Sequence, residues 1–330
     1  MTTSMIEARG LRRTFKTRTG PVEAVRGVDF HVAAGEIVGF LGPNGAGKST
    51  TQRMLATLLE PTAGDATIAG CDLRKDPVGV RRRIGYVAQG GTTNPSALID
   101  EELLTQAQLF GIARADAAKR TRGLLQDLDL AELGQRRVGS LSGGQRRRLD
   151  IALGLIHAPK LVFLDEPSTG LDPHSRANLW DHIRKLRDRE GATVFLTTHY
   201  LDEADALCDR ILIIDHGSIV ASGTPDELKR RISGDVVTLA LGGSAEMARA
   251  LLAAQPGVRE AQLIERGVRV TVEHGDAQAL ALMRTLDDAG IPIASLSIAR
   301  PSLDDVFLTM TGRSLRDADL PAPRSNGGPS

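Results

Sequence analysis

Gly42-Pro43-Asn44-Gly45-Ala46-Gly47-Lys48-Ser49 reads G-x-x-x-x-G-K-S and runs on into Thr50. Glycines at this spacing let successive backbone N–H groups converge on phosphate oxygens, and a helix N-terminus behind the loop adds the positive end of its dipole. Lys48 then reaches the outer phosphates and the Ser49 hydroxyl is placed to ligate Mg²⁺. A second candidate is Leu161-Val162-Phe163-Leu164-Asp165-Glu166, an apolar run ending in two acids. Asp165 is placed to hold the magnesium shell, and Glu166 to orient an attacking water or take its proton. A third is Leu141-Ser142-Gly143-Gly144-Gln145. Ser142 and Gln145 fit a capping box, so an ordinary helix start accounts for those two. It does not account for Gly143 and Gly144, which weaken a helix but let a ligand approach its N–H groups.

These residues work only if secondary structure presents them together. The strand Ile37 to Leu41 precedes the glycine loop and the helical run Thr50 to Leu58 follows it, the context a phosphate loop needs. Leu161 to Leu164, Val194 to Thr197 and Ile211 to Ile214 also read as buried strands, rich in leucine and β-branched residues and bounded by turns. Strands alternating with helices from Met5 to about Ile232 predict an α/β domain. Leu98 to Leu133, with helices at Asp100 to Phe110 and Ala113 to Leu128, reads as a helical insertion on the core sheet; with the helix Arg146 to Ala158 it makes a helical subdomain of about 98–160.

Thr224-Pro225-Asp226-Glu227 is a capping box that opens a helix ending near Ile232, and Ser233-Gly234-Asp235 reads as a linker. Beyond it, from 236 to 312, come a strand at Val236 to Leu241, a helix from Ser244 to Ala254 and strands near Ala261 to Ile264 and Gly267 to Val272. A helix at Asp276 to Ala289 and a strand at Ile291 to Ile298 complete a β-α-β-β-α-β order, which predicts a small ferredoxin-like α+β sandwich. Ser302 caps one further helix with Leu303, Val306, Phe307 and Met310 on one face, and 313–330 has the composition of a disordered tail.

Composition narrows the function. With 41 basic and 41 acidic side chains the formal net charge is zero, so the chain has no general electrostatic footprint for nucleic acid. No segment approaches the roughly 18 consecutive apolar residues of a membrane span. The N-terminus shows no basic run followed by an apolar stretch. Cys71 and Cys208 are far apart and fit a reducing compartment, with neither a disulfide framework nor a zinc motif.

The three motifs, in this order, resemble the ATP-binding cassette family, over Ile6 to about Ile232. The resemblance implies a P-loop ATPase core with ATP and Mg²⁺ as cofactors. It assigns Phe15 to adenine stacking, although a core phenylalanine is the other reading, and Gln89, after the strand Ile84 to Val87, to magnesium and water. Ser168 to Asp172 (S-T-G-L-D) matches the loop that crosses to a partner subunit, and His199 the switch histidine at the γ-phosphate. Lys48, Glu166 and His199 are then catalytic, Ser49, Gln89 and Asp165 face the metal, and Ser142 to Gln145 with Asp172 act across the interface. One chain carries one copy of each motif, so the family's head-to-tail pairing implies a second copy of itself or a homologous cassette.

Thr197 to Ile211 and Arg300 to Gly312 are further similar to the daunorubicin-resistance (DrrA-like) branch of drug exporters. This implies a separately encoded integral-membrane permease, contacted through Gly90 to Leu104, and a location on the cytoplasmic face of the membrane. Gln145 and His199 are the choices of the family at large, where some members of that branch differ, which loosens the assignment to one drug class. The helix Leu303 to Met310 either docks on the small domain or mediates dimer contact or regulation. A cassette acting on ribosomes or DNA is the competing reading. A single cassette without sustained heptads or a cysteine cluster speaks against it.

Overall fold

Strands whose every residue is apolar or small can be buried on both faces, which is the environment of a parallel sheet covered on both sides. In the computed structural model, which describes residues 4–311 except 19, 92, 233, 243 and 300, these runs form such a sheet. The chain separates into two compact units, dividing between Ser222 and Gly223.

The first unit runs β1 (Ser4–Thr17), β2 (Gly20–Ala33), β3 (Ile37–Leu41), α1 (Lys48–Leu55), β4 (Ala63–Ile68), β5 (Cys71–Asp72), α2 (Pro77–Arg83) and β6 (Ile84–Val87). It continues through α3 (Ile99–Leu109), α4 (Arg114–Asp127), α5 (Gly143–Leu155), β7 (Leu161–Asp165), α6 (Pro173–Glu190), β8 (Thr193–Thr198), α7 (Leu201–Leu207), β9 (Arg210–Asp215) and β10 (Ser218–Gly223). A six-stranded sheet has the order β10-β9-β3-β8-β7-β6, and its β9, β3, β8, β7 and β6 pair in parallel. Every residue of β3, β7 and β8 is buried.

A second, antiparallel sheet, β2-β1-β4-β5, packs on it. The join is aromatic: Phe30 of β2 stacks on Phe195 of β8 at 5.8 Å and lies 6.0 Å from Phe40 of β3. The hairpin β1–β2 is not legible in the sequence. Register shifts at several points along the pair break the alternation of apolar and polar residues by which a half-buried strand is recognised. Helices α3, α4 and α5 lie between β6 and β7 in the chain, as the expected helical insertion does, and bury Leu103, Ala107, Ala117, Leu125, Leu149 and Ala152.

The second unit runs α8 (Pro225–Ile232), β11 (Asp235–Leu241), α9 (Ala245–Ala253), β12 (Val258–Ile264), β13 (Gly267–Val272), α10 (Gly275–Asp288), β14 (Ile293–Ala299) and α11 (Leu303–Thr311). Its sheet order β12-β13-β11-β14, antiparallel throughout, is that of a ferredoxin-like split βαβ. Val237, Leu239, Val268 and Val270 from the sheet pack with Leu252 of α9 and Leu282 and Leu286 of α10.

Here the structure corrects two expectations. Helix α8, assigned from sequence to the end of the first domain, packs against α11, so the division falls after 222 instead of 232. Its capping box is present: Thr224 N–H donates to Glu227 Oε2 (2.9 Å) and Glu227 N–H to Thr224 Oγ1 (3.1 Å). Asp235, read as linker, opens β11, and its Oδ2 accepts the Gly275 N–H at 2.7 Å. On α11, Leu303, Val306 and Phe307 are buried, whereas Met310, a turn further along the same face, is exposed. The tail expected at 313–330 lies outside the described residues.

Removing the fully buried Phe307 ring should therefore cost about 3 kcal/mol, the range for a core aromatic truncated to alanine, while Met310→Ala should stay within about 0.5 kcal/mol. Urea unfolding of the two variants of the full chain checks the contrast.

Candidate active site

Four neighbouring strands of the parallel sheet, in the order β3-β8-β7-β6, end at the same edge, and each hands over a motif. Leu41 of β3 leads into the glycine loop, Val87 of β6 into Gln89, Asp165 of β7 into Glu166, and Thr198 of β8 into His199. Ligands of open α/β sheets bind in the crevice beyond the carboxyl ends of the strands.

The glycine loop is built so tightly that two of its glycines have no substitute. A Cβ on Gly42 would stand 2.2 Å from the Ile214 carbonyl. Gly47, the residue before α1, has φ of 105°, and a Cβ there would meet the Ala24 carbonyl at 2.5 Å. Thr51 Oγ1 bonds back to the Gly47 carbonyl at 2.9 Å and fixes the first turn. Lys48 is buried and lies over its own loop, donating to the carbonyls of Gly42 (2.7 Å) and Pro43 (3.1 Å). Pro43, Asn44, Gly45 and Ala46 complete the span to the helix, where Ser49 and Thr50 sit in the first turn of α1.

The acids follow from β7. Ser49 Oγ donates to Asp165 Oδ1 at 2.9 Å, and Thr197 Oγ1 donates to the same oxygen at 2.7 Å. The Ser49 hydroxyl and the Asp165 carboxylate are hard oxygen donors, few in number, while the Gln89 amide is engaged with Glu166. That set suits a magnesium ion that keeps waters and phosphate oxygens, and among the described residues no group of three or more His, Cys, Asp or Glu stands together to cage a metal.

Glu166 has φ of 44°, a left-handed backbone that is uncommon for a residue with a side chain and is held by its surroundings. Its N–H donates to both the carbonyl and the hydroxyl of Thr197 at 3.1 Å. The turn aims the carboxylate into a ring of donors. Gln89 Nε2 lies 2.8 Å and Thr169 Oγ1 3.1 Å from Oε2; His199 Nδ1 lies 3.3 Å and Lys48 Nζ 3.6 Å from Oε1. Burial pushes this carboxyl up, but the contact with His199, the Lys48 charge and the Thr169 hydroxyl together outweigh it and hold the pKa below the ordinary glutamate value. Glu166 is thus ionised at neutral pH, the state a proton acceptor needs.

Ser142 caps α5 as anticipated, with Gln145 N–H donating to Ser142 Oγ (3.3 Å) and Ser142 N–H to Gln145 Oε1 (3.0 Å). The two glycines prove unequal. A Cβ on Gly144 would press on Ser175 Oγ at 2.9 Å, so intramolecular packing explains that one; Gly143 faces open space, which leaves room for a ligand. Asp172 caps α6, its Oδ1 accepting from Ser175 N–H (3.0 Å) and its Oδ2 from Ser175 Oγ (2.6 Å). Phe15 is half-buried on β1 with the Arg13 guanidinium 4.7 Å from its ring centroid.

Arg147, on the buried face of α5, escaped the sequence reading. Its three guanidinium nitrogens donate to the carbonyls of Ala88 (2.6 Å), Asp165 (2.9 Å) and Pro167 (2.9 Å), tying the Gln89 segment to the Glu166 turn. In sequence it is one arginine of the run Arg146-Arg147-Arg148, and nothing local separates it from its neighbours.

The arrangement has close counterparts. The profile of the ABC transporter family matches residues 25–169, and that of the "ATP-binding protein DrrA1-3-like, C-terminal domain" matches 223–311. Over 308 residues, 92% of each chain, the sequence is 42% identical to the doxorubicin resistance ATP-binding protein DrrA of Mycobacterium tuberculosis. The chain belongs to the ATP-binding subunits of ABC transporters, in their DrrA-like branch.

This ABC ATPase is likewise 42% identical, over 96% of its own length and 94% of the relative's, to the daunorubicin/doxorubicin resistance ATP-binding protein DrrA of Streptomyces peucetius. It is 32% identical to the linearmycin resistance ATP-binding protein LnrL of Bacillus subtilis, over 95% and 100%. Among solved structures, the ATP-binding cassette MJ0796, dimeric in a post-hydrolysis state with ADP and Pi, aligns with a TM-score of 0.61 at 25% identity, covering 67% of this chain and 98% of that one.

Two expected outcomes test the geometry. Arg147→Lys keeps the charge but not the three-way fork, and should lower ATP turnover about tenfold or more with unchanged far-UV circular dichroism. Asp150, one turn along α5, is pushed up to about 6 by burial, against the pull of Arg147 and Arg146. The folded state therefore holds this proton more tightly than the unfolded chain, and stability falls as pH rises from about 4 to about 6. Asp150→Asn should be more stable than wild type above pH 7 by roughly 1–3 kcal/mol, and the gain should vanish below about pH 4 in melting curves taken across that range.

Proposed function

We propose that this subunit powers the export of a drug, antibiotic or other hydrophobic compound through a separately encoded permease at the cytoplasmic face of the membrane. The observation that carries the proposal is the pairing of the ATPase unit with a second unit of the DrrA C-terminal type, at near full-length similarity to resistance ATP-binding proteins. No described helix is long and apolar enough to cross a membrane, and a pathway supplied by a separate permease fits this reading.

In this reading ATP lies on the loop Gly42 to Thr50, its adenine against Phe15. Ser49, Asp165 and Gln89 face a magnesium ion, which offsets phosphate charge when bound. Two subunits close head to tail, so that Ser142 to Gln145 and Asp172 of one meet the nucleotide on Lys48 of the other. The open space at Gly143 and the dimeric state of the similar cassette MJ0796 support this. Glu166 accepts the proton of a water as its oxygen attacks the γ-phosphorus; the bond to the β–γ bridging oxygen breaks, leaving ADP and phosphate. Lys48 and His199 stabilise the charge that spreads over the γ-phosphoryl oxygens, and Gln89 holds the water through the side of Glu166 that it already touches.

Beside Gln89 is a groove of about 480 Å³ lined by Tyr86, Gly90, Gly91, Glu102, Phe110 and His157, among others. Phe110 and His157 stack within it at 3.8 Å, and Phe110 and neighbouring Leu109 are exposed. In this reading the stretch Gly90 to Leu104, which borders the groove, meets the permease at a place where movement would reach Gln89 and so Glu166.

Glu166→Gln should reduce turnover by at least about a hundredfold while ATP-stabilised dimers accumulate on gel filtration. Purified from native cells in mild detergent with ATP, this variant should carry a multi-spanning membrane protein. Recovery of ribosomes or DNA-processing proteins without one would retain the ATPase and refute the transport role.

A further inference from the structure

Glu203 lies in the first turn of α7, four residues beyond His199, and is fully buried. Its Oε1 accepts from Ser168 Oγ and, at 3.1 Å, from the indole Nε1–H of Trp180, which also lies 3.1 Å from Ser168 Oγ. Burial raises the carboxyl's pKa, and donation from Ser168, Thr198 and Trp180 does not cancel the effect. A buried acid is costly, and an apolar residue of similar volume would fill the space at less expense, so packing alone gives no reason for it.

The three side chains come from three segments of the active site. Ser168 is two residues beyond Glu166 and begins the loop that ends at Asp172, Trp180 is on α6, and Glu203 follows the histidine segment. Nearer the surface the same bridge is made again. Arg176 of α6 lies 4.4 Å from the ring centroid of Tyr200 and 3.2 Å from Asp202 Oδ2, and the Tyr200 ring meets that of His199 at 4.1 Å. The left-handed turn at Glu166 is secured before it by Thr197 and after it by Arg147 on the Pro167 carbonyl and by Ser168 on Glu203.

We propose that Glu203 and Trp180 are positioning residues for ATP hydrolysis: the Ser168–Glu203–Trp180 cluster locks the loop after Glu166 to the segment carrying His199. The proton acceptor and the histidine then keep one spacing, and a displacement of the loop 168–172 is passed to His199. The inference rests on Glu166 and His199 being the hydrolytic pair.

Trp180 is the single tryptophan of the chain, so its fluorescence reports on the cluster directly. Steady-state ATPase of the full chain should show kcat lowered about tenfold or more in Glu203→Ala and in Trp180→Phe, with KM for MgATP changed less than about twofold. Glu203→Gln, whose amide oxygen still accepts both bonds, should recover most of the activity. Ser168→Ala combined with Glu203→Ala should be no slower than the slower single variant. In the Glu166→Gln background MgATP should change Trp180 emission, and Ser168→Ala should abolish the change.

Wild-type kcat in folded Trp180→Phe and Glu203→Ala would overturn the proposal, as would fully additive losses or a nucleotide response that survives Ser168→Ala. If Glu203→Ala does not fold, Trp180→Phe and Ser168→Ala, which keep the packing, decide the matter. Wild-type turnover by Glu166→Gln alone would remove the hydrolytic pair itself, and that failure is distinguishable because it needs no Glu203 variant to be seen.

Discussion

The parallel pairing of β3, β8, β7 and β6 is the constraint from which the active site follows. Parallel strands in adjacent register deliver their carboxyl ends to one edge, and the residue after each end is where the backbone is free to turn toward a ligand. Residues near 42, 89, 166 and 199 meet there although more than a hundred positions separate the first from the last two. The antiparallel sheet and its aromatic join at Phe30 keep one face of that platform dry, so the strand ends are held by a packed core instead of by loops.

Around Glu166 the structure spends conformational freedom to gain precision. A left-handed backbone puts the carboxylate among Gln89, Thr169, Lys48 and His199, and the contact with His199 together with the buried Lys48 cation favours the ionised form. A Lys–Glu pair in so little solvent is poor evidence for stability, because desolvation offsets the attraction. It is better understood as an arrangement to be reorganised: the Lys48 ammonium rests on loop carbonyls and a carboxylate, and phosphate oxygens are stronger partners for it than either.

Rigidity around this centre comes from the buried Arg147 and from side chains that cap helices at the exposed edge of the site. Arg147 joins three backbone carbonyls from two strands' ends, and Asp172 and Ser142 spend their side chains capping α6 and α5. Within the segment 142–145, Ser142 and Gln145 close on each other while Gly143 stays open. A groove lined by Ala88, Gly90 and Gly91 opens next to Gln89, whose amide touches Glu166.

The sequence by itself determined the phosphate loop, the acidic strand end, the capped signature helix and the β-α-β-β-α-β order of the second unit. These are local: turn chemistry, capping and periodicity act over a few residues, and a strand buried on both faces announces itself as an apolar run. Phe15, Gln89, Asp172 and His199 became visible only through family resemblance, because a lone residue at a strand end or on a helix cap carries no pattern. Tertiary structure alone decided the rest. The hairpin β1–β2 hides behind its bulges, α8 belongs to the second unit because it packs against α11, and Met310 is exposed although its spacing matches Val306 and Phe307. Arg147 and Glu203 gain their meaning from carbonyls and hydroxyls that long-range packing brings to them, and no window of sequence contains that information.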